Sequence, residues 1–186
     1  EELADSRNIG KTLHNLGKVY FEMGDYENAI DHYNKSINIK NNLNDLVGLN
    51  KSIVSKAKSY FFTSDYENAY KEIKEAIELS KNLKRDKLKV EKDRYLGMTY
   101  FYQAEYDSSI HYLNKVEKIY GKVPIKAATV MPFIALAYFE KGDTEKAKLE
   151  IEDFYSIIRE NDLKNSDIVL VNWHAYKIFD QMGENK

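Results

Sequence analysis

The sequence predicts an all-α fold, a solenoid of stacked antiparallel helix pairs. Apolar residues recur at intervals of three and four, as at Leu13, Leu16 and Tyr20, which is the period of one helix face. The 186 residues include only two prolines and eight glycines, too few for the many tight turns of an all-β fold. A short turn-like segment also recurs four times. Together these observations favour stacked helix pairs.

The repeated segments fix where each helix pair turns. They begin at residues 24, 64, 104 and 142, so their spacings are 40, 40 and 38 residues. Each begins with a small residue that can close a helix in a left-handed turn: Gly24, Ser64, Ala104 and Gly142. A carboxylate follows, at the position where it can cap the next helix: Asp25, Asp65, Glu105 and Asp143.

These turns divide the chain into helices. We expect first helices near 9–23, 46–62, 87–102, 125–140 and 166–182, and second helices near 26–42, 66–83, 106–120 and 144–160. Pro132 should bend the fourth first-helix or delay its start. Residues 2–9 look like the end of a second helix followed by a connector similar to 42–49.

The predicted domain organisation is a single array over residues 1–186. It has four full repeats that start near 10, 50, 90 and 128, and a half repeat at 166–186. Because both ends look cut inside the array, we expect a fragment of a larger protein.

The repeat resembles the tetratricopeptide repeat (TPR). Its first copy reads Leu13-x2-Leu16-Gly17-x2-Tyr20, followed by Ala29-x3-Tyr33. The later copies are in register: Ile53, Lys56, Ala57, Tyr60, Ala69 and Ile73; Asp93, Leu96, Gly97, Tyr100, Ser109 and Leu113; Met131, Ile134, Ala135, Tyr138, Ala147 and Ile151. Lys56 and Ser109 depart from the family pattern. The period of about 40 residues exceeds the usual 34 and resembles the longer variant of kinesin light chains and bacterial peptide-responsive regulators. The resemblance implies that the TPR-like helix pairs form a right-handed superhelix.

Composition excludes several classes of function. The 28 basic and 30 acidic side chains are spread evenly, so nucleic-acid and anionic-membrane binding lack their main electrostatic contribution. The absence of cysteine excludes disulfides and thiolate metal sites. The longest apolar run, 130–139, is too short to span a bilayer, and residues 1–3 do not read as a signal peptide, so we expect a soluble cytoplasmic protein.

No catalytic chemistry is predicted. The four histidines lack the spacing of a metal pair on one helical turn, and no phosphate-binding or nucleophile motif occurs. Carboxylates such as Glu72 and Glu75 are interpreted as part of a solvated, alternating-charge face. We therefore expect neither an enzyme, nor a metal site, nor a cofactor.

The resemblance implies a binding site on the concave face, which the first helices line in this family. The matching positions that we select are Lys11, His14, Lys18, Phe21, Lys51, Lys58, Phe61, Arg94, Met98, Phe101, Leu136, Phe139, Trp173 and Lys177. One column consists of Phe21, Phe61, Phe101 and Phe139, which either forms an exposed aromatic stripe or packs as ordinary core.

The basic residues of this face suit an acidic peptide or a free carboxylate. They are equally consistent with charges that only keep the surface soluble. The asparagines of the chaperone-tail carboxylate clamp are missing from these positions.

Three functions remain open. The leading hypothesis is a protein–protein interaction module that binds a peptide or helix in its concave groove. An alternative is an intramolecular regulatory or sensor segment of a multidomain signalling or transcription-regulating protein. A third is a spacer that self-associates through its uncapped end.

Overall fold

A computed structural model describes residues 2–83, 88–121 and 123–161, and the side chains of residues 5–160 within those ranges. The described residues form helices and contain no strand. The helices are α1 (Glu2–Glu22), α2 (Tyr26–Asn42), α3 (Leu46–Phe62), α4 (Tyr66–Ser80), α5 (Lys89–Tyr102), α6 (Tyr106–Tyr120), α7 (Pro124–Ala127), α8 (Met131–Glu140) and α9 (Thr144–Asn161). The predicted all-α class is confirmed. The predicted half repeat 166–186 lies outside the described residues.

The recurring turns have the predicted left-handed backbone. The φ angles are 80° at Gly24, 63° at Ser64, 60° at Ala104 and 82° at Gly142. The carboxylates that follow cap their helices in three of the four turns: Asp25 accepts from the Asn28 amide, Asp65 from Asn68 and Asp143 from Lys146.

Glu105 is the exception among the predicted caps. It occupies the N-cap position of α6 but makes no side-chain capping bond, so that prediction is wrong. Glutamate is not among the side chains that favour the N-cap, which are the shorter Ser, Thr, Asp and Asn.

Small residues let the two helices of a pair approach closely, as predicted. A methyl group added at Gly17 would lie 2.7 Å from the Tyr33 ring, and one added at Gly97 would lie 2.7 Å from Leu113. Ala57 and Ala135 occupy the same repeat position and are completely buried. The small residue at this repeat position therefore allows a tight contact between the first and second helix of a pair.

The chain forms two compact units, Glu1–Tyr95 and Leu96–Lys186, and the boundary falls within α5. In the first unit, α1 packs on α2, α2 on α3, and α3 on α4, around a core that includes Leu49, Ile53, Val54 and Ala76. In the second unit, α8 packs on α9 and α6, around a core that includes Met131, Ala135, Ile151 and Phe154.

The start of α1 and the end of α4 each differ by at least three residues from the predicted helix boundary. Residues 2–9 belong to α1 and are not a connector. The true connector reverses at Asn44, whose φ is 53°, whereas the equivalent position holds Ala4, which favours a continued helix. Helix α4 ends at Ser80 rather than at residue 83.

The predicted helix 125–140 is broken into α7 and α8. Pro132 lies in the first turn of α8, where its missing N–H would be unsatisfied in any case. Of the two effects expected from this proline, the late start is the one observed.

Lys56, which departs from the repeat pattern, forms an ion pair between α3 and α4. Its Nζ lies 2.8 Å from Oε1 of Glu72, and both side chains are largely buried. The prediction that Glu72 belongs to a solvated face is therefore wrong, because Glu72 is 8% exposed. A lysine can occupy this apolar repeat position because the facing helix supplies its counter-charge.

Candidate functional site

A cavity of about 170 Å³ in the first unit gathers five of the residues that the sequence predicts for a binding face. These five are His14, Lys18 and Phe21 of α1, and Lys51 and Lys58 of α3. The remaining lining residues are Glu22, Tyr33, Val54, Ser55, Leu88 and Glu91. The cavity is thus built from two successive first helices, with α2 and the start of α5 contributing to its walls.

Helical spacing explains why these side chains meet. His14, Lys18 and Phe21 are four and three residues apart, so they share one face of α1. Lys51, Val54 and Lys58 have the same spacings in α3. Because α1 and α3 contact each other through successive repeats, the two faces border one space.

The cavity carries more positive than negative side chains. Three lysines and two glutamates line it. Lys18 and Lys51 are exposed and form no ion pair within the described parts of the chain. The Nζ of Lys58 lies 4.3 Å from the centroid of the Phe21 ring, which is a cation–π distance. The arrangement offers two ammonium groups and an aromatic surface to a ligand.

A buried polar network lies beneath His14. The Nδ1 of His14 lies 3.1 Å from Oγ of Ser52, and Lys40 donates to the same oxygen at 2.8 Å. Ser36 lies 3.2 Å from Ser52 and donates to the Gly10 carbonyl at 2.7 Å. His14 is only 3% exposed, and its Nε2 has no hydrogen-bond partner within the described chain. The network fixes the imidazole ring in the wall of the cavity.

Burial and neighbouring lysines keep the His14 imidazole of this network uncharged at neutral pH. Burial, together with Lys40, Lys51 and Lys18, lowers the pKa of His14 to about 4, so the imidazole is neutral at pH 7. Burial also lowers the pKa of Lys40 to about 8. Lys40 remains mostly protonated at pH 7 and can donate to Ser52.

The predicted phenylalanine column does not form one exposed stripe. Phe61 is 6% exposed and packs edge-on against Tyr66 and Tyr95. Phe21 is half-buried beside Tyr26 and Phe62. In the second unit, Phe101 is half-buried and packs on the core, and Phe139 is half-buried.

The other predicted site residues within the described ranges do not line this cavity. Lys11 is exposed, and the guanidinium of Arg94 lies over its neighbour Tyr95. Met98 and Leu136 belong to the second unit and are buried. Trp173 and Lys177 lie outside the described residues.

Several residues of the site were not predicted. Glu22, Tyr33, Ser55 and Leu88 line the cavity, and Ser36, Lys40 and Ser52 form the network below it. A signal for part of this network exists in the sequence: the buried stripe of α2 runs Ala29, Tyr33, Ser36, Lys40 with spacings of four, three and four. Following that stripe through its polar members would have placed Ser36 and Lys40 inside.

Two other kinds of site are not found in the described ranges. No three His, Asp or Glu side chains come close enough together there to hold a metal ion. None of the described helices combines the length and apolar character needed to span a membrane.

Comparison with known proteins places the fold. Residues 10–43 and 51–83 each match the tetratricopeptide repeat family. No curated protein sequence matches the chain significantly.

Among solved structures, one similar protein is a putative kinesin light chain from Podosopora anserina, whose TPR-like repeats are nearly identical to one another. It shares 14% sequence identity with this chain, with a TM-score of 0.72 over 97% of this chain and 89% of that one. The apo form of RapI is 13% identical, with a TM-score of 0.74 over 94% and 70%. A signal transduction ATPase of the STAND class from Pyrococcus horikoshii, which has a tetratricopeptide repeat sensor, is 17% identical, with a TM-score of 0.67 over 84% and 25%.

These identities are low, so the likeness to solved structures establishes the fold alone. The fold is a TPR-like helical solenoid. Tetratricopeptide repeats serve in general as protein–protein interaction modules, and the two repeats support that broad role here. The family matches fall on the two helix pairs α1–α2 and α3–α4. Helices α1, α2 and α3 of these pairs supply most of the cavity lining. The similarity to the tetratricopeptide repeat family is therefore carried by residues 10–43 and 51–83.

Proposed function

We propose that the chain is a protein–protein interaction module whose first unit binds a peptide through a carboxylate placed in the cavity between α1 and α3. The observation that carries this proposal is the pair of exposed lysines, Lys18 and Lys51, which face one cavity without forming an ion pair in the described chain. A carboxylate between two ammonium groups gains charge-assisted hydrogen bonds that neither lysine has in the free protein.

The rest of the cavity favours a single carboxylate over a polyanion. Glu22 and Glu91 offset part of the positive charge, so a chain of phosphates would meet repulsion at both glutamates. The Phe21 ring gives an apolar wall to the methylene groups of an acidic side chain. Because the lining residues lie on two packed helices, the site is preorganised for a ligand.

The proposal is tested with a minimal acidic probe. The peptide acetyl-Gly-Gly-Glu-Gly-Gly-amide and its Gln counterpart differ by one charge and are titrated into the ¹⁵N-labelled protein. We expect saturable amide shifts in α1 and α3 with the Glu peptide and a much weaker response with the Gln peptide. The response to the Glu peptide should weaken with added salt, since the lysines are exposed.

Matched charge reversals give the control. The variant Lys18→Glu/Lys51→Glu should lose the response, whereas Lys71→Glu/Lys74→Glu makes the same change in net charge on α4, away from the cavity lining, and should retain it. Equal binding of the Glu and Gln peptides, or equal losses in both double variants, would contradict a carboxylate site here.

A second candidate function is a sensor segment within a longer signalling protein. The observation that favours it is the similarity to the tetratricopeptide repeat sensor of the STAND-class ATPase. In this case peptide binding to the cavity would change the activity of a domain elsewhere in the parent chain. The test is the full-length gene product, assayed with and without a peptide that binds the cavity; an output unaffected by saturating peptide argues against the sensor function.

A further inference from the structure

A larger cleft lies next to the cavity on the same pair of helices. Its volume is about 580 Å³, within the range of pockets that accept several side chains or a small ligand. Leu43, Leu46, Val47 and Leu83 supply its apolar surface, and Arg7 and Lys11 of α1 supply its charges. The carboxylate site proposed for the cavity includes none of the residues that line this cleft.

The apolar surface of the cleft is presented by the turn between α2 and α3. Asn44 reverses the chain with a φ of 53°, and Asp45 then caps α3 by accepting from the Gly48 amide at 3.0 Å. This turn fixes Leu46 and Val47 in the first turn of α3, where Val47 remains 66% exposed. An exposed aliphatic side chain that is held rigidly at a concave site offers a contact to an apolar partner.

The charges of the cleft indicate what surrounds that apolar contact. Arg7 and Lys11 are exposed and form no ion pair within the described chain. The carboxylate in the cleft, Asp45, is already engaged as the helix cap. A segment with an aliphatic side chain in an acidic context therefore complements this surface in both shape and charge.

The two pockets lie in line along the same helices. Helix α1 contributes Arg7 and Lys11 to the cleft and residues 14–22 to the cavity, and α3 likewise contributes its first turn to the cleft and residues 51–58 to the cavity. Between the midpoints of the two sets of lining residues there are about eight residues of α3 and about ten of α1, which at a helical rise of 1.5 Å per residue correspond to about 12–15 Å. An extended peptide covers that distance in about four residues.

We infer that the cleft is the second half of a bipartite peptide site, which takes an aliphatic side chain about four residues from the acidic residue held in the cavity. This inference rests on the proposed function, because the carboxylate in the cavity sets the position of the peptide. It specifies the partner as a protein with an extended acidic segment that bears Leu, Ile or Val at that spacing.

The test compares peptides that differ only in the placement of one leucine. The probes are acetyl-Gly-Glu-Gly-Gly-Gly-Leu-Gly-amide, its reversed order, a version with Glu and Leu adjacent, and a version with Gly in place of Leu. We expect one of the two spaced orders to bind about tenfold more tightly than the Gly version, since one aliphatic side chain is buried. The adjacent version should gain little.

Variants separate the two halves of the site. Val47→Ser should abolish the gain from leucine and leave the affinity for the Gly version unchanged, because serine adds no charge beside Lys51 and is compatible with the first turn of a helix. Val19→Ser, at an exposed valine of α1 that lines neither pocket, is the matched control and should keep the gain.

The carboxylate site in the cavity and the aliphatic site in the cleft are tested separately. If the Gly version does not bind wild-type protein, the carboxylate site of the proposed function fails. If it binds but no leucine peptide binds more tightly, or Val47→Ser retains the gain, the cleft assignment is overturned. Amide shifts of Leu46 and Val47 that depend on protein concentration alone would instead indicate a second copy of the chain in the cleft, which also overturns it.

Discussion

At the scale of single residues, the least typical feature is a lysine inside the first helix pair. Lys40 is 4% exposed and donates to Ser52, and no carboxylate contacts its ammonium group within the described chain. Burial is the largest cause that lowers its pKa to about 8; Asp45 opposes the shift, and Lys51 and Lys11 add to it. Below pH 8 both the folded and unfolded chains hold this proton, so the full cost of burying the charge is present.

The sign of the resulting pH dependence follows from the two pKa values. Between about pH 8 and 10.5 the unfolded chain binds the proton that the folded chain has released, so the contribution of Lys40 to the free energy of unfolding rises with pH. We expect Lys40→Met to increase the free energy of unfolding at pH 7 by about 1–3 kcal/mol and to have a smaller effect at pH 10. Urea-induced unfolding at both pH values measures this difference.

A lysine elsewhere on α2 provides the comparison. Lys35 is exposed and pairs with Asp31, so Lys35→Met should change the free energy of unfolding by less than about 1 kcal/mol at either pH. A destabilised Lys40→Met protein would mean that the bond to Ser52 outweighs the cost of burying the charge.

The contacts of buried polar residues were the part of the structure that the sequence predicted least well. Lys56 stands at an apolar repeat position and Glu72 in an alternating-charge stretch, and only the packing of α3 on α4 brings the two together. The helical period predicted that His14, Lys18 and Phe21 share one face, and the resemblance to the tetratricopeptide repeat implied that this face lines a site. The periodicity of α2 could have placed Ser36 and Lys40 inside, but it does not reveal that they meet Ser52 of α3.

At the scale of helices, the repeat depends on the close contact between the two members of each pair. Gly17 of α1 faces Tyr33 of α2 with no room for a further carbon. Tyr33 is also a wall of the cavity, so the position of α2 relative to α1 affects the shape of the site. Packing in the helix pair and geometry of the binding site are therefore coupled in the first unit.

We expect Gly17→Ala to destabilise the first unit. The added Cβ would lie 2.7 Å from the Tyr33 ring, so the ring or the helix must move, at a typical cost of about 1–3 kcal/mol. The matched control is Gly121→Ala after α6: φ there is −52° and the nearest atoms to an added Cβ are 3.6 Å and 3.7 Å away. That change should be neutral or slightly stabilising.

Hydrogen exchange locates the effect of these glycine substitutions. Amides of α1 and α2 should exchange faster in Gly17→Ala, whereas those of α8 and α9 should be unaffected, because repeat arrays respond mainly near the altered contact. Uniformly faster exchange in both units would rule out this local explanation.

The boundaries of helices were predictable where a local signal sets them. Left-handed residues followed by carboxylates placed all four turns correctly, and Pro132 marked the late start of α8. The short helix α7 was not predicted, since the apolar periodicity continues across 128–130 while the backbone there does not. Burial of Phe61 depends on Tyr66 and Tyr95 from neighbouring helices, so the helix's own sequence could not decide between groove and core.

At the scale of the whole molecule, the two units carry ionisable groups with opposite effects of pH. In the first unit, the lowered pKa values of His14 and Lys40 make their contributions to stability rise with pH. In the second unit, burial, with Glu117 and Asp153 nearby, raises the pKa of Glu150 to about 7. Between about pH 4.5 and 7 the folded second unit holds a proton that the unfolded chain has released, so this contribution to stability falls as pH rises.

We therefore expect Glu150→Gln to stabilise the second unit by about 1–2 kcal/mol at pH 8 and by much less at pH 4. The neutral amide removes both the burial cost of the carboxylate and its repulsion from Glu117 and Asp153. Glu152→Gln is the control, because Glu152 is an exposed residue of the same helix and should have little effect. Hydrogen exchange of the α9 amides, with wild type and variant compared at each pH, measures the change. Equal protection of α9 in wild type and Glu150→Gln at pH 8 would show that Glu150 is solvated in the folded chain, and the second unit would then lack its opposing pH dependence.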